Sequence, residues 1–194
     1  MSPRYIKLTK MILSDTKKDI RRSVRAAIKA MGSGEKAAQV ALLCSAALEH
    51  TLLQNARVVA LFAPLPDEPD ISPLISTLYE KCTVVLPRIS GDTMDFYPYS
   101  PHTMSSGSYG INEPQGGEPV APSAIDVMLV PGVAFTRGGC RLGRGKGYYD
   151  RYMSMAGFRA YRIGVCFEQQ IVEALPVEEH DVRMDEILSF GANQ

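Results

Sequence analysis

Between residues 138 and 151 the chain reads Gly-Gly-Cys-Arg-Leu-Gly-Arg-Gly-Lys-Gly-Tyr-Tyr-Asp-Arg. Five glycines (Gly138, Gly139, Gly143, Gly145, Gly147) alternate with three cations, Arg141, Arg144 and Lys146. Glycine lets the backbone bend sharply and bring its N–H groups against a ligand. Successive N–H groups form an anion-binding concavity, and nearby cations deepen it. Cations this close, with no acid before Asp150, repel one another unless an anion joins them. The chemistry indicated is phosphate binding; a glycine-rich surface turn with solvated cations is the alternative. The apolar run Ile125 to Val130 reads as a buried strand and Tyr148 to Met155 as a helix, so the run lies between a strand and a helix N-terminus. Two familiar phosphate patterns fail. Against G-x-x-x-x-G-K-[ST], Cys140 stands at the first glycine and Gly147 at the Ser/Thr. Against G-x-G-x-x-G, Tyr148 replaces the last glycine.

Other residues have the right types for a site around a phosphate. Asp150 follows the glycine run; an acid in a first helical turn complements the dipole, and beside a triphosphate a carboxylate can hold Mg²⁺. Glu68 sits between Pro66 and Pro69 after a predicted strand, where open α/β sheets bind ligands; without more it is a solvated loop acid. Lys17, Lys18, Arg21, Arg22, Arg25 and Lys29 crowd one arc of a predicted helix. That arc is a solvated face or an anion site, because like charges at i,i+4 such as Lys17–Arg21 cost roughly 0.2–0.5 kcal/mol per pair. Tyr148 and Tyr149 are as suited to core packing as to stacking on a flat ring. His50, His102 and His180 show no metal-ligand spacing.

The elements that must position these groups follow from periodicity. Asp15 to Met31 reads as a helix with Ile20, Val24, Ala27, Ile28 and Met31 on one stripe. A second helix is expected from about Glu35 to Leu53. Strands are expected at Val58–Phe62, Thr83–Leu86, Ile125–Val130, Tyr161–Phe167 and Asp185–Ser189, with a hairpin arm at Met94–Tyr97. Ser72-Pro73 reads as an N-cap and N1 proline, and Gln169–Ala174 as a short helix. Residues 98 to 123 form a long Pro/Gly/Ser-rich connection. Strands alternating with helices predict an α/β fold, mainly a parallel sheet with helices on both faces. The 194 residues are expected to form one domain, with 1–14 as an N-terminal extension, burying roughly 70% of the unfolded surface. A formal net charge of zero argues against a nucleic-acid binder. No apolar run of about 18 residues indicates a membrane span. Four cysteines without C-x-x-C spacing fit a reducing cytoplasm, and a monomer is expected.

Several stretches together resemble the 5-formyltetrahydrofolate cyclo-ligase family, also called methenyltetrahydrofolate synthetase. They are Lys17-x-x-Ile20-Arg21, Asp67-Glu68, Leu86-Pro87-Arg88, Met94-Asp-Phe-Tyr, Gly110-Ile-Asn-Glu-Pro114, Val130-Pro-Gly-Val-Ala-Phe with the glycine run, and Pro176-Val-Glu-Glu-His-Asp181 with Met184-Asp-Glu-Ile187. The resemblance implies a three-layer, Rossmann-like sandwich and the ATP-driven closure of 5-formyltetrahydrofolate to 5,10-methenyltetrahydrofolate through phosphorylation of the formyl oxygen. It implies that Lys17, Arg21, Arg141, Leu142, Gly143, Arg144, Gly145, Lys146, Gly147, Tyr148 and Tyr149 bind ATP. It implies that Ala63, Glu68, Arg144, Gly145, Lys146, Gly147 and Tyr148 touch the folate, with Pro64 lining the same pocket. Lys146 and Arg144 are the candidates to neutralise the transferring group, and Asp150 and Asp181 to hold Mg²⁺, with Asp185 as the rival to Asp181. Pro69-Asp70-Ile71 departs from the family's commoner valine-aspartate-threonine. Two other classes compete: a sugar-phosphate isomerase or CoA-transferase relative needing no ATP, and a nucleotide- or RNA-binding module built on the basic helix.

Overall fold

The computed structural model describes residues 3–107, 110 and 112–191, with side chains from residue 16 onward. Ile111 of the Gly110–Pro114 motif and the side chains of the 1–14 extension lie outside that description.

Helix α1 (Pro3–Ala30) is followed by α2 (Ser33–Glu49), α3 (Thr51–Asn55) and strand β1 (Val58–Ala60). Then come α4 (Ser72–Tyr79), β2 (Thr83–Ser90) and β3 (Thr93–Pro98). A small hairpin, β4 (Met104–Ser106) and β5 (Asn112–Pro114), occupies the long connection. Strand β6 (Val127–Pro131), the two-residue strands β7 (Ala134–Phe135) and β8 (Arg141–Leu142), helix α5 (Tyr148–Met153), β9 (Tyr161–Val165) and β10 (Glu186–Leu188) complete the described chain.

The main sheet has the order β10-β9-β6-β1-β2-β3, and all neighbours are parallel except the β2–β3 hairpin. Every residue of β6 is buried, as a central parallel strand covered on both faces requires. Alternation along the strands divides the core. Val59, Leu61, Val84, Leu129 and Ile163 pack under α2, α3 and α4; Ala60, Val85, Met128 and Val130 pack with Tyr152 and Met153 of α5. Helix α1 does something different. Its Val24 and Ile28 pack on Val133, Ala134, Leu142 and Phe167, so it lies across the ends at which β6 and β9 finish. The sheet order reverses between β1 and β6. Open α/β sheets bind ligands outside the carboxyl ends of the strands at such a point.

Several expectations are corrected. The helix over 35–53 is interrupted at His50, whose extended backbone ends α2 and whose Nδ1 accepts from Leu52 N at 3.3 Å to cap α3. Ser72 is not the cap of α4: Ile71 is, and Asp70 Oδ1 accepts the Ser72 N–H at 3.0 Å. Ala27 is exposed, and Lys17 is buried where a solvated cation was the alternative. The helix expected at 169–174 is one 3-10 turn, Glu168–Gln170. The five-glycine run is also divided. Gly138 and Gly139 form the turn between β7 and β8, where Gly139 has φ +86 and a Cβ would lie 2.3 Å from the Met184 carbonyl oxygen. Only Gly143 to Gly147 forms the basic loop.

Candidate active site

A cavity of about 1010 Å³ opens at the sheet reversal. Four sources of cation converge there: Lys17, Arg21 and Arg25 from α1, Arg141 from β8, Arg144 and Lys146 from the 143–147 loop, and Arg151 from α5. Phe62, Ala63, Leu65 and Glu68 enter from the segment after β1, Ile89 and Met94 from the β2–β3 hairpin, and Tyr148, Tyr149 and Asp150 from α5. Glu178, His180 and Asp181 close the far side. Pro64, expected in this wall, is not among the lining residues; Leu65 is.

The loop is held from below. Arg21 Nε donates to the Gly143 carbonyl at 2.8 Å, which explains why a helix cation belongs to a site 122 residues away. Burial, and then the charge of Arg25, lowers the Arg21 pKa from its ordinary value. Gly145 has φ +101 and Gly147 φ +67, a region that residues with a Cβ seldom enter. Lys146 is exposed between them, and its ammonium makes no hydrogen bond or ion pair to any described residue. It is therefore free to take an anion.

Arg144 is anchored on the opposite wall. Its Nε and Nη2 donate to Glu68 Oε1 at 3.0 and 2.8 Å, and its fork also grips both carboxylate oxygens of Asp67. Leu65 N donates to the other Glu68 oxygen at 3.0 Å. The Glu68 side chain is only 4% exposed. Burial raises its pKa above the ordinary carboxylate value, although the Arg144 guanidinium pulls the other way. Burial also acts to raise Asp67, but there the hydrogen bonds and charge of Arg144 outweigh it and the pKa is lowered.

The acids on the far side lie close together. Asp150 accepts from Arg141 Nη2 at 2.8 Å and from the Val182 N–H at 3.3 Å. The Arg141–Asp150 pair is buried, with side chains 4% and 14% exposed, and Arg141 also donates to the Pro131 carbonyl at 3.1 Å. Asp181, next to Val182, accepts from Lys17 Nζ at 2.7 Å and from Glu178 N at 2.8 Å. Lys17 Nζ also meets Glu178 at 2.7 Å. Burial works against the Lys17 ammonium, but its two carboxylate partners prevail and its pKa is raised; burial likewise works against Asp181, and Lys17 holds its pKa low. Asp185, the rival to Asp181, is turned away: it accepts from Arg162 N and Nε at 2.8 Å and Nη2 at 2.6 Å and does not line the cavity. Among the described residues, Glu178, His180 and Asp181 offer ligand atoms within 4.8 Å of one another.

The tyrosine pair divides its tasks. Tyr148 OH donates to the Gly91 carbonyl at 3.1 Å. The Tyr149 ring meets Phe96 edge-on with centroids 6.4 Å apart, and Arg141 lies 5.5 Å from its centroid. Burial, followed by the nearby Glu68 charge, pushes the Tyr149 phenol far above its ordinary pKa, so it stays a neutral hydroxyl. Apart from Pro64 and Asp185, the expected site residues, Leu142 and the loop glycines included, line this one cavity. Arg25 was read only as part of the basic arc of the first helix, and Met94 and Glu178 only as members of family stretches, without a role in the site. Ile89 joins the site only through the fold.

The model of the 5-formyltetrahydrofolate cyclo-ligase family matches residues 13–189. The chain belongs to that family. The mouse 5-formyltetrahydrofolate cyclo-ligase is 26% identical over 191 residues, covering 91% of this chain and 94% of the mouse protein. The Saccharomyces cerevisiae 5-formyltetrahydrofolate cyclo-ligase is 31% identical, covering 88% of this chain and 93% of its own. The solution structure of Aquifex aeolicus 5,10-methenyltetrahydrofolate synthetase superposes with a TM-score of 0.81 at 31% identity, covering 89% of each chain. A cyclo-ligase fold thus accounts for the layered sheet, and the isomerase and RNA-binding readings are set aside.

Proposed function

We propose that this chain closes 5-formyltetrahydrofolate to 5,10-methenyltetrahydrofolate with consumption of ATP, as one cyclo-ligase domain acting in the cytoplasm as a monomer. The observation that carries the reading is a single cavity with an unpartnered cation on a glycine loop at one wall and a buried carboxylate at the other. Its volume of about 1010 Å³ is at the upper end of ligand pockets, as two substrates side by side require. Among the described residues no helix is long and apolar enough to cross a membrane, and the four cysteines are free, which suits a reducing compartment.

An amide oxygen is a poor leaving group, and phosphorylating it solves that difficulty. The γ-phosphoryl group passes from ATP to the formyl oxygen, breaking its bond to ADP. N10 of the folate then attacks the activated carbon, the carbon–oxygen bond breaks, and phosphate and the N10 proton depart. Most of the catalysis is placement and charge neutralisation. The N–H groups of 143–147, Arg21 beneath them and Lys146 above them hold the phosphates. Arg141 supports this loop from behind. Glu68 accepts from the amino and ring N–H groups of the pterin, which lies along Ala63 and toward Tyr148 and Tyr149. Arg144 bridges the two ligands and exchanges Asp67 and Glu68 for phosphate oxygens.

Asp150 and Asp181 would hold Mg²⁺: they are hard oxygen donors facing the same cavity as the loop cations, and the ion would take the place that Arg141 and Lys17 now have on them. When bound, the ion would neutralise phosphate charge and leave most of its coordination to water and phosphate oxygens. The reading is tested by mixing protein, Mg-ATP and 5-formyltetrahydrofolate and following the near-ultraviolet band of the methenyl product. The band should rise only with nucleotide present and should stop on addition of EDTA. A rise without ATP, or none with all components, sinks the proposal.

A further inference from the structure

Arg151 lies on α5 at the rim of the cavity and has no part in the roles above. One terminal nitrogen of its guanidinium donates to the Lys146 carbonyl at 2.8 Å, and the other donates to the Asp92 carbonyl at 2.8 Å. The first acceptor is in the 143–147 loop. The second is at the tip of the β2–β3 hairpin, whose arms supply Ile89 and Met94 to the cavity wall. A neighbouring contact doubles the grip: Tyr148 OH donates to Gly91, the residue before Asp92, and the Arg151 guanidinium lies 5.3 Å from the Tyr148 ring centroid. Gly147 makes room for it. A Cβ there would lie 2.9 Å from Arg151 Nη1, so a glycine lets the guanidinium reach the loop backbone. Arg151 pairs with no acid among the described residues; its donors are directed at main-chain carbonyls from two separate segments.

We propose that Arg151 is a positioning residue that ties the phosphate loop to the hairpin wall, so that a nucleotide held on the loop also fixes the surface against which the folate lies. The proposal rests on the reading that the 143–147 loop binds ATP. The two terminal nitrogens of a planar fork span acceptors on separate segments at fixed geometry, whereas an ammonium is a single point charge and reaches both only where they converge on one atom. A charged donor also makes a stronger bond than a neutral one. The outer side of Arg151 meets solvent, so the expected effects are modest. Two sites couple when both bias one shared element, and here that element is the loop–hairpin pair.

The test is hydrogen exchange read by mass spectrometry on the full chain, for the wild type, Arg151→Met (which keeps the stem) and Arg151→Lys (which keeps the charge). Without ligand, Arg151→Met should speed exchange in segments 90–94 and 143–147 by roughly three- to tenfold, with β6 and β9 unchanged. Arg151→Lys should restore protection to one of the two segments but not both. With Mg²⁺ and a non-hydrolysable ATP analogue, the wild type should gain protection in both segments and Arg151→Met in 143–147 alone. In parallel, kcat/KM for the folate should fall in Arg151→Met while the Kd of the analogue alone stays within a few-fold. Unchanged exchange at 90–94 in Arg151→Met, or equal protection of the hairpin by the analogue in both proteins, overturns the proposal. If the analogue fails to protect 143–147 even in the wild type, the nucleotide reading has failed, and the ligand-free comparison still decides whether Arg151 joins loop to hairpin.

Discussion

Replacing Glu68 by Gln should separate folding from function. In the folded protein Glu68 Oε1 accepts two bonds from Arg144 and Oε2 accepts one from Leu65 N. All of these partners are donors, and so are the pterin groups that the carboxylate would meet. Glutamine keeps one acceptor oxygen and turns the other into a donor, so at least one donor must then face its NH₂ group. A hydrogen bond to a charged group is worth about 1.5–3 kcal/mol, which corresponds to a loss of roughly 10- to 150-fold in folate affinity. Binding of a non-hydrolysable ATP analogue should change by less than a few-fold. Stability should move the opposite way. The folded pKa of Glu68 is raised above its ordinary 4.5. The fold therefore favours the protonated form, and stability present below the ordinary value is lost as pH rises through the folded pKa. At neutral pH the desolvated carboxylate carries a cost that Gln lifts, and this offsets the bond that Gln loses to Arg144 or Leu65 N. The ligand-free Tm of Glu68→Gln should equal or exceed that of the wild type at pH 7, and any gain should vanish toward pH 4. Calorimetric titration of each ligand and thermal scans at both pH values make the check. Unchanged folate affinity, or a clearly lower Tm at pH 7, would refute the reasoning.

Lys146→Ala should lower turnover by on the order of 10²–10³, the range for losing one preorganised electrostatic donor, with little change in Tm because the ammonium has no partner among the described residues; survival of turnover within a few-fold would pass its role to Arg144. Arg21→Ala should raise the KM for ATP by releasing the Gly143 carbonyl, while exposed Lys18→Ala should not, and equal steady-state effects would return α1 to a solvated face. The Lys17–Asp181 pair sets a pH window. Asp181 is depressed below its ordinary 3.8 and Lys17 raised above its ordinary 10.5, so the pair stabilises between those limits and loses its contribution as pH falls through the Asp181 value or rises through that of Lys17. Lys17→Met should therefore cost stability at pH 8 in denaturant titrations, and the difference from wild type should shrink below about pH 4; no cost at pH 8 contradicts the pairing.

What the sequence disclosed was local. The 143–147 loop was legible because its glycines and cations are adjacent; Glu68, after a strand and between two prolines, was set apart from a solvated loop acid only by the family resemblance. The parallel order of strands followed from their alternation with helices. Adjacency also misled: Gly138 and Gly139 belong to the β7–β8 turn, where Gly139 packs against the carbonyl of Met184, which lies beyond β9. The Ala- and Leu-rich run from 35 to 53 reads as continuous because no proline or glycine marks His50, whose side chain both caps α3 and reaches Glu186 at 3.1 Å. Glu178 and Lys17 meet across 161 residues, and no periodicity announces such a pair. Asp181 and Asp185 were indistinguishable until Arg162 claimed one of them.

In the proposed reaction one cavity aligns the formyl oxygen with the γ-phosphorus of ATP. The most direct measurement uses 5-formyltetrahydrofolate carrying ¹⁸O in the formyl group, in a single turnover with Mg-ATP, and weighs the released phosphate. Transfer of the label into the phosphate is predicted, because the oxygen that leaves carbon has become a phosphate oxygen. Methenyl product accompanied by unlabelled phosphate would mean that water, not the formyl oxygen, received the phosphoryl group, and would contradict the account.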